Sequence, residues 1–152
     1  MLLLAIFAFC FSITAAFAAP QDSNAAVIIA YQRIGENSGS GASLSVENFK
    51  THLRELQGGD YNVISLGDAI NATKNNRQLS GKSVVITFDG AYADTFKNAL
   101  PLLDEAGYPY TVFYAADMHD GPEPAMASWQ DLQNLAKRDN AELAILPAQY
   151  VS

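Results

Sequence analysis

Cysteine is nearly missing from this chain: the single one, Cys10, lies within the first eighteen residues. Residues 19–152 therefore have no thiol for a disulfide, a thiolate zinc site or a cysteine nucleophile. A basic cluster is missing as well. Nine Lys and Arg stand against sixteen Asp and Glu, a formal net charge of −7, and the acids are dispersed. Binding a phosphate backbone needs concentrated cations, so nucleic acid is not an expected partner, and anionic membrane surfaces are disfavoured for the same reason. A neutral ligand such as a glycan is compatible with this charge. No internal repeat is visible, and the one Gly/Ser-rich tract in the body of the chain is Gly35–Gly41.

What is present begins with an apolar segment. Leu2, Leu3, Leu4, Ile6, Phe7, Phe9, Phe11 and Ile13 precede Ala16-Phe17-Ala18, an A-x-A cleavage pattern, and polar residues follow from Gln21. Residues 1–18 read as a secretory signal peptide, although the segment has no Lys or Arg ahead of its apolar core. An uncleaved membrane anchor is the alternative, and a short apolar core closed by small residues argues against it. Phe9 before Cys10 spoils a lipid-acceptor motif. The expectation is an exported protein, periplasmic or secreted, with no membrane span after cleavage. A cysteine-free exported chain fits a bacterial envelope better than a small disulfide-stapled secreted domain.

The remaining residues, 19–152, are enough for one domain. Short apolar runs alternate with segments of helical periodicity. Strands are expected at residues 25–30, 61–65, 83–88, 110–114 and 142–146. Between them, Ser45 caps a helix with Val46, Phe49, Leu53 and Leu56 on one face, ended by Gly58-Gly59. Residues 66–73 form a short helix. Asp94 or Thr95 caps a helix with Phe96, Ala99, Leu100 and Leu103 inward, kinked at Pro101 and closed by Gly107. Ser128-Trp129-Gln130-Asp131 has the form of a capping box. Five or so strands separated by helices indicate an α/β fold with a parallel sheet and helices outside. A continuous apolar run such as residues 25–30 suits a strand buried on both faces. The last strand has no helix after it, which leaves an open sheet edge and a route to association.

The most informative stretch is Ser83-Val84-Val85-Ile86-Thr87-Phe88-Asp89-Gly90-Ala91-Tyr92. A β-branched run ends abruptly in a carboxylate, followed by small residues and a helix signal. Such a strand delivers an acid to the rim of a sheet, where α/β folds place their active sites. Asp89 is therefore the candidate catalytic residue. Its structural alternative is an acid that accepts hydrogen bonds from backbone amides at the next helix and steadies the turn.

This stretch resembles the first motif of the polysaccharide deacetylases, the NodB-homology family of carbohydrate esterase type, in which the strand ends Thr-Phe-Asp-Asp-Gly. The resemblance extends to Tyr31-Gln32-Arg33, near the usual Tyr-His-Arg, and to Leu44–Phe49, Gly59–Leu66, Asn98–Leu103, Gly107–Phe113 and Ser128–Leu132. It covers the N-terminal half of the family domain. What it implies is a partial, distorted (β/α) barrel over residues 19–152 and metal-assisted removal of acetyl groups from N-acetylhexosamine glycans, a carbon–nitrogen hydrolase reaction. In that family one Asp takes a proton from a metal-bound water, while a second Asp and a His-x-x-x-His pair hold a divalent metal, typically zinc.

Carried over by position, Asp89 matches the base and Gly90 stands where the second acid would be. The His pair falls on Leu146 and Tyr150. Leu has no lone pair, and a Tyr with a pKa near 10 is a poor ligand at neutral pH. Gln32 replaces a His. No metal ligand and no cofactor is therefore expected in this chain, and the family's later motifs are expected to be missing with the second half. Candidates for a substitute metal site are Asp89, Asp94, Asp117, His119 and Asp120; Asp94 reads more simply as a helix cap, and Asp117, His119 and Asp120 as loop residues. His52 reads as an exposed mid-helix residue. Tyr31, Tyr92, Tyr114 and Trp129 could line a sugar cleft or serve as packing. Three functions follow: a deacetylase; a non-catalytic carbohydrate-binding relative; or one half of a split or truncated protein. The resemblance together with the missing ligands favours a degenerate, inactive family member.

Overall fold

The computed structural model describes residues 25–35, 43–115 and 126–146. The signal-like segment 1–18, all of the Gly/Ser tract after Gly35, and Asp117, His119, Asp120 and Tyr150 lie outside them.

Seven strands and five helices follow one another in the order strand β1 (Ala26–Tyr31), β2 (Arg33–Ile34), β3 (Ser43–Leu44), helix α1 (Val46–Gly58), β4 (Tyr61–Val63), α2 (Leu66–Lys74), β5 (Lys82–Asp89), α3 (Ala93–Asn98), α4 (Leu100–Ala106), β6 (Tyr110–Tyr114), α5 (Trp129–Leu135) and β7 (Ala141–Ile145). Five of the strands form one parallel sheet in which β5 is central. Along one side β5 pairs with β1, from Ala26 opposite Ser83 to Tyr31 opposite Phe88. Along its other side it pairs first with β4 and then, at its C-terminal end, with β6. β7 adds to β6 with Ala141 opposite Tyr110 and Ile145 opposite Tyr114. β5 is thus flanked on both sides, which is why its run of apolar and small residues is buried from Ser83 to Phe88. Among the described residues the sheet is open, with β1 at one edge and β7 and β4 on the other side. β2 and β3 make a separate two-stranded ribbon that the apolar pattern, only two residues long in each strand, does not signal.

Side-chain alternation divides the sheet into two faces. Val84, Ile86 and Phe88 of β5, with Tyr31, Tyr110, Val112 and Tyr114, pack with Phe49, Leu53 and Leu56 of α1, Leu100 and Leu103 of α4, and Leu132 and Leu135 of α5. Burying each such Leu or Phe contributes about 1.5–3 kcal/mol, so this face supplies most of the cohesion. Tyr31, Phe49 and Phe88 form an aromatic trio within it, with ring centroids 5.2 and 5.6 Å apart from Tyr31. On the other face lie Ser83, Val85, Thr87 and Asp89 of β5. Here β7 is tied to α2 by a charged cap. Glu142 accepts from the Gly67 N–H at 3.2 Å and from the Thr111 hydroxyl at 2.8 Å.

The helix boundaries follow their caps. Ser45 and Ser65 accept from the amides of Asn48 and Asp68, and Ser128 and Asp131 form a reciprocal capping box, with bonds of 2.9 and 3.2 Å. Gly107 ends α4 at φ +67, the left-handed conformation that glycine supplies freely.

Four expectations are corrected. The strand at residues 61–65 ends at Val63, because Ser65 is engaged as the cap of α2. The helix expected to kink at Pro101 is two helices, α3 and α4, that share Ala99 as boundary; Pro101 sits in the first turn of α4, where its missing N–H costs no helical bond. Neither Asp94 nor Thr95 caps α3: Tyr92 is the N-cap, and it makes no side-chain capping bond. β1 is not buried on both faces, since Val27 and Ile28 are 64 % and 54 % exposed on opposite sides of an edge strand.

Candidate active site

Asp89 is the last residue of β5, half-buried, and paired in register with Phe113 of β6. The sequence therefore places it as expected, at the C-terminal rim of the central strand. Burial holds its carboxyl above the usual carboxylate range, and desolvation is the only cause. Among the described residues no backbone amide donates to the Asp89 carboxylate. The turn is held by main-chain bonds instead: Gly90 N–H to Phe113 O at 2.9 Å, and Ala127 N–H to Ala91 O at 2.7 Å. An isolated Tyr92–Met126 bridge lies beside them.

Gly90 follows at φ +104. Only glycine occupies that region without strain. A Cβ at this position would also stand 2.5 Å from Tyr92 Cε2. Arg33 lies over the Tyr92 ring, its guanidinium carbon 5.4 Å from the ring centroid. Arg33 is fixed in turn by Asp94 Oδ2, at 3.0 Å from Nε and 2.5 Å from Nη2. Thr95, buried, accepts from the Ile34 amide at 3.2 Å and ties α3 to β2. Asp94 is therefore the counter-ion of Arg33 and belongs to a rigid Arg33–Tyr92–Asp94 group around the turn. Sequence reasoning noticed each of these residues separately. It missed the group, because Arg33 and Asp94 are 61 positions apart and no periodicity links them.

The other candidates fall elsewhere. Leu146, just past β7, has the face parity of Asp89 and donates its N–H to Tyr114 O at 2.8 Å, but it offers no lone pair. His52 is exposed, as expected, yet its Nδ1 lies 3.0 Å from the Tyr31 hydroxyl. Tyr31 itself is in the core, with its phenol pushed up to about 12 by burial, and cannot line a cleft. Tyr114 is buried with its ring 5.3 Å from that of Trp129, edge to face. Trp129 is 57 % exposed and remains able to meet a ligand. Gln32 contributes its carbonyl oxygen, which accepts from Thr95 Oγ1 at 3.4 Å.

A divalent metal of the kind the resemblance implies does not fit these residues. Among the described residues no three His, Cys, Asp or Glu side chains come together. Next to the one acid stand a glycine and, across the rim, a leucine. A carboxylate alone is a weak donor set for a zinc-type ion, which takes three or four N, O or S ligands.

Residues 76–144 match the model of the polysaccharide deacetylase family. YxkH of Bacillus subtilis (strain 168), a proposed polysaccharide deacetylase, is 29 % identical over 86 residues, which are 57 % of this chain and 30 % of that protein. The fold is shared with a de-N-acetylase from Aggregatibacter actinomycetemcomitans (TM-score 0.70, 20 % identity, 81 % of this chain and 55 % of that one). It is shared equally with IcaB from Ammonifex degensii (TM-score 0.74, 20 % identity, 81 % and 53 %). The chain thus spans under a third of its curated relative and about half of these solved structures.

Proposed function

We propose that this chain, whose residues 76–144 match the polysaccharide deacetylase model, is a catalytically silent relative of that family: it keeps the family's sheet and its base-position acid but has lost the means to activate water. The observation that carries this reading is the Asp89-Gly90 pair, one desolvated carboxylate beside a residue without a side chain. In the family reaction the metal lowers the pKa of its bound water and polarises the acetyl carbonyl. Asp89 could still accept a proton, and burial raises its basicity. A single carboxylate does not make water nucleophilic enough for amide hydrolysis at neutral pH, so Asp89 in the role of base has nothing to deprotonate.

Two measurements on the purified chain test this. Acetate release from N-acetylglucosamine oligomers is expected to match the blank, and zinc analysis after dialysis is expected to give well under one equivalent. Sustained acetate release, or stoichiometric zinc, would overturn the proposal.

A second reading, a module that holds glycan without cleaving it, is favoured by the Asp89 carboxylate, to which no described residue donates, an acceptor for sugar hydroxyls, and by the exposed Trp129 ring, a stacking surface. Trp129 is the only tryptophan. Its fluorescence should therefore change saturably on titration with N-acetylglucosamine oligomers, and a flat response would remove this reading. The apolar residues 1–18 support export to the periplasm or beyond. Among the described residues no helix is long and apolar enough to cross a membrane.

A further inference from the structure

We propose that Tyr92 is a plug: its ring stands in the space where a side chain at position 90 would begin, and this closes the second-acid position independently of the missing ligand itself. The inference deepens the reading of a silent site and rests on the assignment of position 90 that the family resemblance supplies.

Two separate obstacles meet at Gly90. The first is its φ of +104, which strains any residue with a Cβ. The second is the ring, 2.5 Å from the Cβ position at Cε2 and 3.1 Å at Cδ2. A surface tyrosine would swing away at little cost. Tyr92 is not free to do so. Its backbone bridges to Met126 and its carbonyl accepts from the Phe96 amide at 3.2 Å as α3 begins. Arg33 lies against the ring, and Asp94 fixes Arg33 through two nitrogens. Behind Tyr92, Ala91 is fully buried. The ring therefore lies against a half-buried ion pair and is carried on a pinned backbone. Restoring an acid at position 90 alone is expected to break this packing before it creates a ligand.

The test is a double-mutant cycle read by urea denaturation, with Gly90→Ala and Tyr92→Ala singly and together. Alanine replaces the acid so that charge does not enter and the chain has the best chance of folding. If the ring is the obstacle, the fall in urea midpoint caused by Gly90→Ala is at least halved in the Tyr92→Ala background, and the part that remains is backbone strain. An undiminished fall overturns the plug, since φ alone would then account for the whole cost. If Gly90→Ala in the Tyr92 background fails to fold while the double variant folds, the plug is supported; if both fail to fold, the ring is not what decides the matter and the plug is overturned. Stoichiometric zinc on the unaltered chain would count against the silent-site reading and would leave the cycle's answer about Tyr92 intact.

Discussion

At the scale of single residues, the carboxyl of Asp89 has a consequence for stability. Its pKa is raised in the folded state by burial. The folded chain therefore binds that proton more tightly than the unfolded chain does. Below the unfolded value both states are protonated and nothing is lost; as pH rises through the folded value, stability falls, and above it the loss is complete. Asp89→Asn is accordingly expected to raise the urea midpoint at pH 7, with the gain vanishing at pH 3. A gain that persists unchanged at pH 3 would mean the charge is not its source. Tyr110 works the same way at the alkaline end. Burial pushes its phenol up to about 12, against the opposing pull of Arg138. Unfolded tyrosine loses its proton near pH 10, so the native state is progressively destabilised from there toward 12. Tyr110→Phe should flatten that part of the pH profile. At neutral pH it should cost about 1 kcal/mol, because the hydroxyl lies 3.1 Å from Asp104 and 2.9 Å from Arg138, which still pair with each other.

At the scale of elements, the link between β7 and α2 rests on one side chain. Glu142 serves the first turn of α2 through Gly67 N–H and holds Thr111 of the neighbouring strand. A Cβ at position 67 would lie 2.6 Å from Glu142 Oε1, so a side chain there would push the carboxylate away from the amide. Glu142→Ala leaves a half-buried amide and a buried hydroxyl without their acceptor, and about 1–3 kcal/mol of stability should be lost by chemical denaturation. Glu142→Gln keeps an acceptor oxygen and should recover part of it. The capping box at α5 is a smaller device of the same kind; Ser128→Ala should cost about 1 kcal/mol. Much of this was legible beforehand. Ser45, Ser128 and Gly107 announced their helix ends because capping is a contact over three or four residues. Glu142 did not, since its partner Gly67 is 75 positions away and a lone acid in a strand has no pattern that names its acceptor.

At the scale of the whole molecule, the sheet has apolar edges. β1 exposes Val27 and Ile28, and β7 exposes Leu143 at 42 % and Ile145 at 81 %. A shallow apolar groove of about 420 Å³ lined by Val27, Ile29, Leu56 and Tyr61 runs beside β1. Unpaired edges with apolar side chains invite further strands. The isolated chain of 16.4 kDa is expected to elute as an oligomer at micromolar concentration, and Ile145→Lys to shift it toward monomer. A sharp monomeric peak for the unaltered chain would contradict this. That β1 forms an edge could not be anticipated, because an apolar run looks the same whether one neighbour or two lie beside it.

The sequence by itself determined the five strands of the main sheet to within a residue or two, the capped helices between them, and that Asp89 stands at the rim, for these depend on short-range periodicity and on a β-branched run that ends in an acid. Only the tertiary structure decided that no amide shelters this acid among the described residues, that Asp94 serves Arg33 and not its own helix, and that the Tyr92 ring fills the space over Gly90. Those outcomes depend on groups brought together from distant parts of the chain. The energy of such a contact is set by distance and solvent access, and neither is written in the local order of residues.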